Sequence, residues 1–107
     1  MKKLAMISMP MAGLGQKEVK ERFRALKDVI EADGKYEVVD TLFDFDDAEL
    51  AKMGVKSLPL HYLGQSLDRM ALCDAVFFVP GWEQARGCRV EYEAAGSYGL
   101  EVFYVRG

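Results

Sequence analysis

The sequence has little of what most often carries chemistry: one histidine (His61), two cysteines (Cys73 and Cys88) and three prolines in 107 residues. A lone His within an amphipathic helix, with no obvious Ser or Cys partner, makes no catalytic triad. Two cysteines in different elements make no metal-ligand spacing, and no motif asks for a cofactor or a metal. Both thiols are expected to stay reduced, as in a cytoplasmic protein. Positive charge is not in excess either. The formal net charge is -3, which gives no electrostatic case for binding DNA or RNA. A small anionic nucleotide needs only a local patch and stays possible. No segment approaches the roughly 20 apolar residues of a membrane span. The start, MKKLAMISMPMAGLG, is basic and then apolar, but the apolar run is short and Pro10 interrupts it, so it is not read as a signal peptide. The expected location is the cytoplasm.

What is present is an ordinary globular balance. Half of the residues are apolar and 29% are charged, which suits one soluble domain over residues 1–107. Lys3 to Met9 reads as a buried strand, closed by Pro10 and Gly13. Gln16 to Asp33 reads as a helix with Val19, Phe23, Leu26 and Ile30 on one stripe and Gly34 as its stop. Tyr36 to Thr41 reads as a second strand. Leu42 to Ser57 is the least clear stretch; a short helix there would have Asp46 or Asp47 near its cap. Leu58 to Cys73 reads as a helix with Leu60, Leu63, Leu67 and Met70 as its stripe. Asp74 opens an almost wholly apolar strand, AVFFVP. Gly81 to Gln84 reads as a loop. A helix then runs from Arg86 or Gly87 to about Tyr98, and Leu100 to Val105 is the last strand.

Apolar strands alternating with amphipathic helices predict an α/β fold, a small doubly wound, Rossmann-like, four-stranded parallel sheet with helices on both faces. Ligands of such sheets bind beyond the carboxyl ends of the strands, where strand order reverses. Two loops qualify, Met9 to Gly15 and Pro80 to Gly87, and they are expected to lie side by side.

The first loop, with Ser8 before it (Ser8, Met9, Pro10, Met11, Ala12, Gly13, Leu14), can cradle a phosphate or ribose near a helix start. It is neither a GxGxxG nor a P-loop, and a plain strand-to-helix turn explains it equally well. In the second loop, Trp82 can stack on a base, cap the core, or sit in a subunit interface. Glu83 and Gln84 follow it. Arg86 lies near a helix N-terminus, against the dipole, which suits a phosphate ligand; a solvated Arg costs little. Arg89 can add to the same patch. Glu91 lies four residues after Gly87 and is the candidate for chemistry. A carboxylate near an anomeric carbon can be a nucleophile in glycosyl transfer. It can also accept from ribose hydroxyls, or be a structural Glu on a helix face. Asp74 reads as a residue that caps or orients backbone. Cys88, near a helix start, is a candidate for a lowered pKa, though nothing else suggests thiol chemistry.

ISMPMAGL resembles a phage and prophage pattern, ISGPMTGL. CDAVFFVPGWEQARGCRVEYEAA closely resembles CDAVYLLPGWEQSRGARLEYELA of the same family. That family is similar in fold to the nucleoside 2-deoxyribosyltransferases and includes the second type of Thoeris anti-defence proteins. The resemblance implies a sponge: a homotetramer that binds the cyclic ADP-ribose isomers released by bacterial immune TIR enzymes and sequesters them uncleaved. Some members also hold cyclic dinucleotides or trinucleotides of CBASS.

Against the transferases, Gly87 to Glu91 matches the nucleophile block and Asp74 the strand-leading Asp, so these two are the catalytic residues if the chain is an enzyme. Met9 stands where a Gly precedes the Pro. Ala85 and Arg86 stand where acidic and hydroxyl residues are found, which removes a partner for moving a proton and suits a phosphate instead. The expectation is therefore non-catalytic capture. Trp82 would stack on a base, Arg86 and the first loop would hold a diphosphate, Glu91 would accept from a ribose hydroxyl, and Tyr92 and Tyr98 would serve a subunit interface. A deoxyribosyltransferase or N-glycosidase using Glu91 is the alternative. A structural or regulatory protein with a vestigial pocket is the third.

Overall fold

The computed structural model describes residues 2–42 and 47–106. Among the described residues, four strands and four α-helices follow one another as β1 (Lys3–Ser8), α1 (Gln16–Glu31), β2 (Tyr36–Val38), α2 (Asp47–Lys52), α3 (Leu58–Met70), β3 (Ala75–Phe78), α4 (Arg86–Ser97) and β4 (Glu101–Tyr104). The segment read as a loop between β3 and α4 contains a 3-10 turn, Trp82–Gln84. Of the two candidate caps near residue 46, Asp47 opens α2, and Asp46 lies outside the described residues.

All strand pairs are parallel, in the order β2-β1-β3-β4. The chain is thus an α/β, doubly wound, Rossmann-like domain. Because side chains alternate along a strand, β1 feeds two cores. Ile7 and Met9 meet Val19, Phe23 and Ile30 of α1 and Val38 of β2. Met6, on the opposite face, meets Val76 and Phe78 of β3, Met70 of α3 and Ala95 of α4. Each fully buried large apolar side chain contributes about 1.5–3 kcal/mol relative to exposure, and Phe78, Met6 and Val76 are all at that limit.

Helix α3 begins where Ser57 accepts a hydrogen bond from the Leu60 amide at 3.3 Å, with a proline in its first turn. The stripe predicted for this helix holds only in part. Met70 is buried, but Leu60 is 66% exposed, because the first turn overhangs the core. The helix also stops at Met70, short of Cys73, and the Leu72 and Cys73 amides bond back to Arg69 and Met70. Strand β2 is shorter than its β-branched run. Its ladder gains one more bond, from the Val39 amide to the Ala5 carbonyl, and then leaves the sheet. Among the described residues, no helix is long and apolar enough to cross a membrane.

Candidate functional site

Strand order reverses between β1 and β3, so the loops after these strands leave the same sheet edge. The Val79 amide donates to the Ser8 carbonyl at 3.0 Å, extending the ladder to that edge. Gly81 has φ 94°, a left-handed conformation that side chains with a Cβ rarely adopt. A Cβ there would meet Pro10 Cγ at 3.6 Å. The two loops expected side by side are therefore in contact, Gly81 against Pro10.

The first loop folds as the plain turn. The Leu14 amide donates to the Met11 carbonyl at 3.1 Å, with Gly13 at φ 80°, as a type II β-turn demands. One of the amides available to a phosphate is thus used inside the turn. Met11, Ala12 and Gly13 are exposed, Pro10 and Leu14 half-buried and Met9 buried.

Beneath these loops, β1 and α4 place three groups together. Ser8 is at the end of β1 on the α4 side, and its hydroxyl donates to Glu91 Oε1 at 2.8 Å. Ser8 and Glu91 are 1% and 7% exposed. Burial pushes the Glu91 carboxyl from its ordinary 4.5 up to about 7, and the Ser8 hydrogen bond opposes part of that rise. Cys88, one turn before Glu91, is buried as well. Burial raises its pKa, the contact with Ser8 lowers it, and the neighbouring Glu91 raises it again. The lowered pKa considered from its place near the helix start is therefore reversed: desolvation outweighs the helix dipole, and Cys88 stays a thiol. Gly87 sits on the same face as Glu91, and a Cβ on it would lie 3.9 Å from Leu63 Cδ1, so α4 crosses close to α3.

Asp74 is not part of this cluster. Its Oδ2 accepts the Leu4 amide at 2.9 Å, at the opposite end of β3, about 13 Å away along the strand at the usual rise. The reading of Asp74 as a residue that orients backbone holds, and its place as a catalytic partner of Glu91 does not.

Trp82 is half-buried and stacked on Tyr92, with ring centroids 4.4 Å apart and planes 22° apart. It also packs against Phe78 at 5.3 Å. Of its three readings, capping the core is the one the free chain adopts. Glu83 and Gln84 are exposed beside it. Tyr92 is thereby drawn into an intramolecular stack, and its hydroxyl accepts from Tyr104 at 3.1 Å. Tyr98, 84% exposed, lies elsewhere: six residues turn a helix by about 600°, so Tyr92 and Tyr98 do not share a face. Arg89 is likewise about 200° from Glu91 around α4. Arg86 and Arg89 are exposed and line, with Val90, Glu93, Ala94 and Tyr98, a groove of about 500 Å³ on the outer side of that helix. The cluster thus gathers Ser8, Cys88 and Glu91, with Gly87 on the same face of α4; Pro10 meets Gly81 in the loops, Met9 turns to the α1 core, and Arg86 at the rim shares the outer groove with Arg89. Sequence reasoning missed Cys88 as a neighbour of Glu91, although a three-residue helical spacing pointed to it.

A family model described as "Domain of unknown function (DUF4406)" matches residues 3–104. The chain belongs to that family. No curated protein and no solved structure matches it. Both loops, the Ser8–Glu91 pair and the Trp82–Tyr92 stack fall inside the stretch that the DUF4406 model covers.

Proposed function

We propose that this DUF4406 domain binds and sequesters cyclic nucleotide signals, isomers of cyclic ADP-ribose first and cyclic dinucleotides or trinucleotides second, without turning them over. It does so as a homo-oligomer, a tetramer in the reading by resemblance, and thereby blocks a bacterial anti-phage defence. The observation that carries this reading is the state of Glu91. A nucleophile in glycosyl transfer works as a carboxylate, beside a second carboxyl group about 5–5.5 Å away. Glu91 is instead closed in, tied to a neutral hydroxyl and held largely protonated below pH 7, and the matching Asp74 is at the other end of its strand. A group in that state suits recognition of a ribose hydroxyl. The ligand lies across the exposed rim, Met11 to Leu14 on one side and Glu83 to Arg86 on the other, with Ser8 and Glu91 as the floor. Arg86 and the first loop hold its phosphates, and the Trp82–Tyr92 stack backs a base.

One observation favours the enzyme reading. A buried carboxyl titrating near neutral pH at a switch-point crevice is what acid–base catalysis uses. In that reading Glu91 is the nucleophile of a deoxyribosyltransferase or N-glycosidase.

One experiment separates the two. The purified chain is mixed with cyclic ADP-ribose isomers, cyclic dinucleotides and deoxynucleosides and filtered free of unbound ligand. It is then heat-denatured, and the released species are identified by mass spectrometry. An intact cyclic nucleotide, depleted from the filtrate and recovered on heating, supports sequestration. A free base or a linear product, lost in Glu91→Gln, overturns it. No retained nucleotide and no product leaves the vestigial pocket as the answer.

A further inference from the structure

Helix α4 is charged the wrong way round for a helix that stands alone. Its first turn carries no acidic residue and its last turn no basic one, while Arg86 and Arg89 occupy the N-terminal half, where cations oppose the macrodipole. Both arginines are exposed, as is Glu93 one turn further on. Among the described residues, none of these three forms an ion pair. The same face carries apolar surface: Val90 is 44% and Tyr98 84% exposed, with Ala94 between them in the groove. Arg86, Val90 and Ala94 follow one another at four-residue spacing, and so do Arg89 and Glu93, giving two adjacent ridges.

We infer that this face pairs with the same face of a second copy, with the two α4 helices antiparallel about a two-fold axis. The face is self-complementary, which is the requirement for such an isologous contact. An axis near the level of residues 91 and 92 sets Val90 of one copy against Ala94 of the other. It places Arg89 opposite Glu93 twice over, and Arg86 beside Tyr98, where a guanidinium can lie over an aromatic ring. The arginines of each N-terminal half then lie beside the C-terminal end of the other helix, where cations are favoured. The charge order that is unfavourable in one chain becomes favourable in the pair. The pairing also brings Tyr98 of the second copy to the rim of the loop cluster, next to Arg86. It holds whichever ligand that cluster takes.

The test is the mass of the full chain in solution, without ligand and at low salt, by sedimentation equilibrium. The expected result is an even-numbered oligomer whose mass is halved by Arg89→Glu, by Glu93→Arg and by Val90→Glu. The double variant Arg89→Glu/Glu93→Arg regains the wild-type mass, because the pairs re-form with exchanged signs. Circular dichroism confirms that each variant is folded; the double variant keeps the test sharp if a single one is not. A monomeric wild type overturns the inference. So does an oligomer that the single charge variants leave intact, or a double variant that stays dissociated. Because no ligand is present, these outcomes leave the choice of ligand to the binding experiment; a monomeric wild type would also remove the oligomer from the proposed function, but not the capture of a nucleotide by one chain.

Discussion

Replacing Glu91 by Gln should flatten the pH dependence of stability that this one carboxyl creates. Burial raises its pKa in the folded chain to about 7 from the ordinary 4.5. The folded state therefore binds a proton between these pH values that the unfolded state has released. The sign follows: the group's contribution is full below about pH 4.5 and is lost as pH rises through 7. At 1.36 kcal/mol per pH unit, that gap is worth about 3 kcal/mol. Gln keeps the size and the carbonyl oxygen that accepts from Ser8, and it cannot ionise. Wild type and Glu91→Gln should thus be nearly equal in stability at pH 4, and the variant should be more stable by about 3 kcal/mol at pH 8, or about 12 °C in melting temperature for a domain of this size. Urea unfolding at pH 4, 5, 6, 7 and 8 measures it. The difference between the two proteins isolates Glu91, since every other carboxylate is common to both. Parallel curves across that range would refute the account of Glu91 as a desolvated, largely neutral acid.

Three other substitutions test the surrounding structure. Ser8→Ala removes the donor to Glu91 (2.8 Å) and should cost more at pH 8, about 1.5–3 kcal/mol with a charged acceptor, than at pH 5; an equal cost at both would show that Ser8 does not sense the charge. Gly81→Ala forces a Cβ into φ 94° and should destabilise by about 1–2 kcal/mol in urea, with no steric clash to add to it; an unchanged midpoint would mean that the loop relaxes freely. Phe78→Ala should cost about 3–5 kcal/mol and weaken the near-ultraviolet dichroism of Trp82, which packs on that ring; a loss below about 1 kcal/mol would contradict its place at the centre of the second core.

The layered fold was legible because its signals are local and repeated. Four consecutive buried residues in β1 and the stripe on α1 are properties of neighbours in the chain, and strand alternation with helices leaves few topologies. The meeting of the two loops followed from topology in the same way. What could not be read is which face of a correctly placed helix meets which neighbour. Arg86 and Arg89 do share a patch, but nearness in sequence also groups Arg89 with Glu91, whereas two residues' separation puts them on opposite sides of α4. Tyr92 and Tyr98, expected at one interface from their helical spacing, part because six residues do not return to the same face. Trp82 had three open readings because nothing local says that Tyr92, ten residues on, will turn its ring to meet it. The raised Glu91 carboxyl is a desolvation effect, and burial of a single acidic side chain is set by tertiary packing that no short motif encodes.

The all-parallel ladder has a kinetic consequence. Strand β1 has no hairpin partner. Its nearer pairing, Lys3 with Tyr36, and its farther one, Ala5 with Ala75, both require closing long stretches of chain before any ladder bond forms, an entropic cost that slows folding. During synthesis β1 emerges before the other three strands and gains its second partner only when residues 75–78 arrive. Until then the LAMIS segment is an apolar, β-prone stretch with one edge unprotected, the kind of surface on which nascent chains aggregate. Protection of β1 by exchange-resistant amides should therefore appear late in refolding, together with β3.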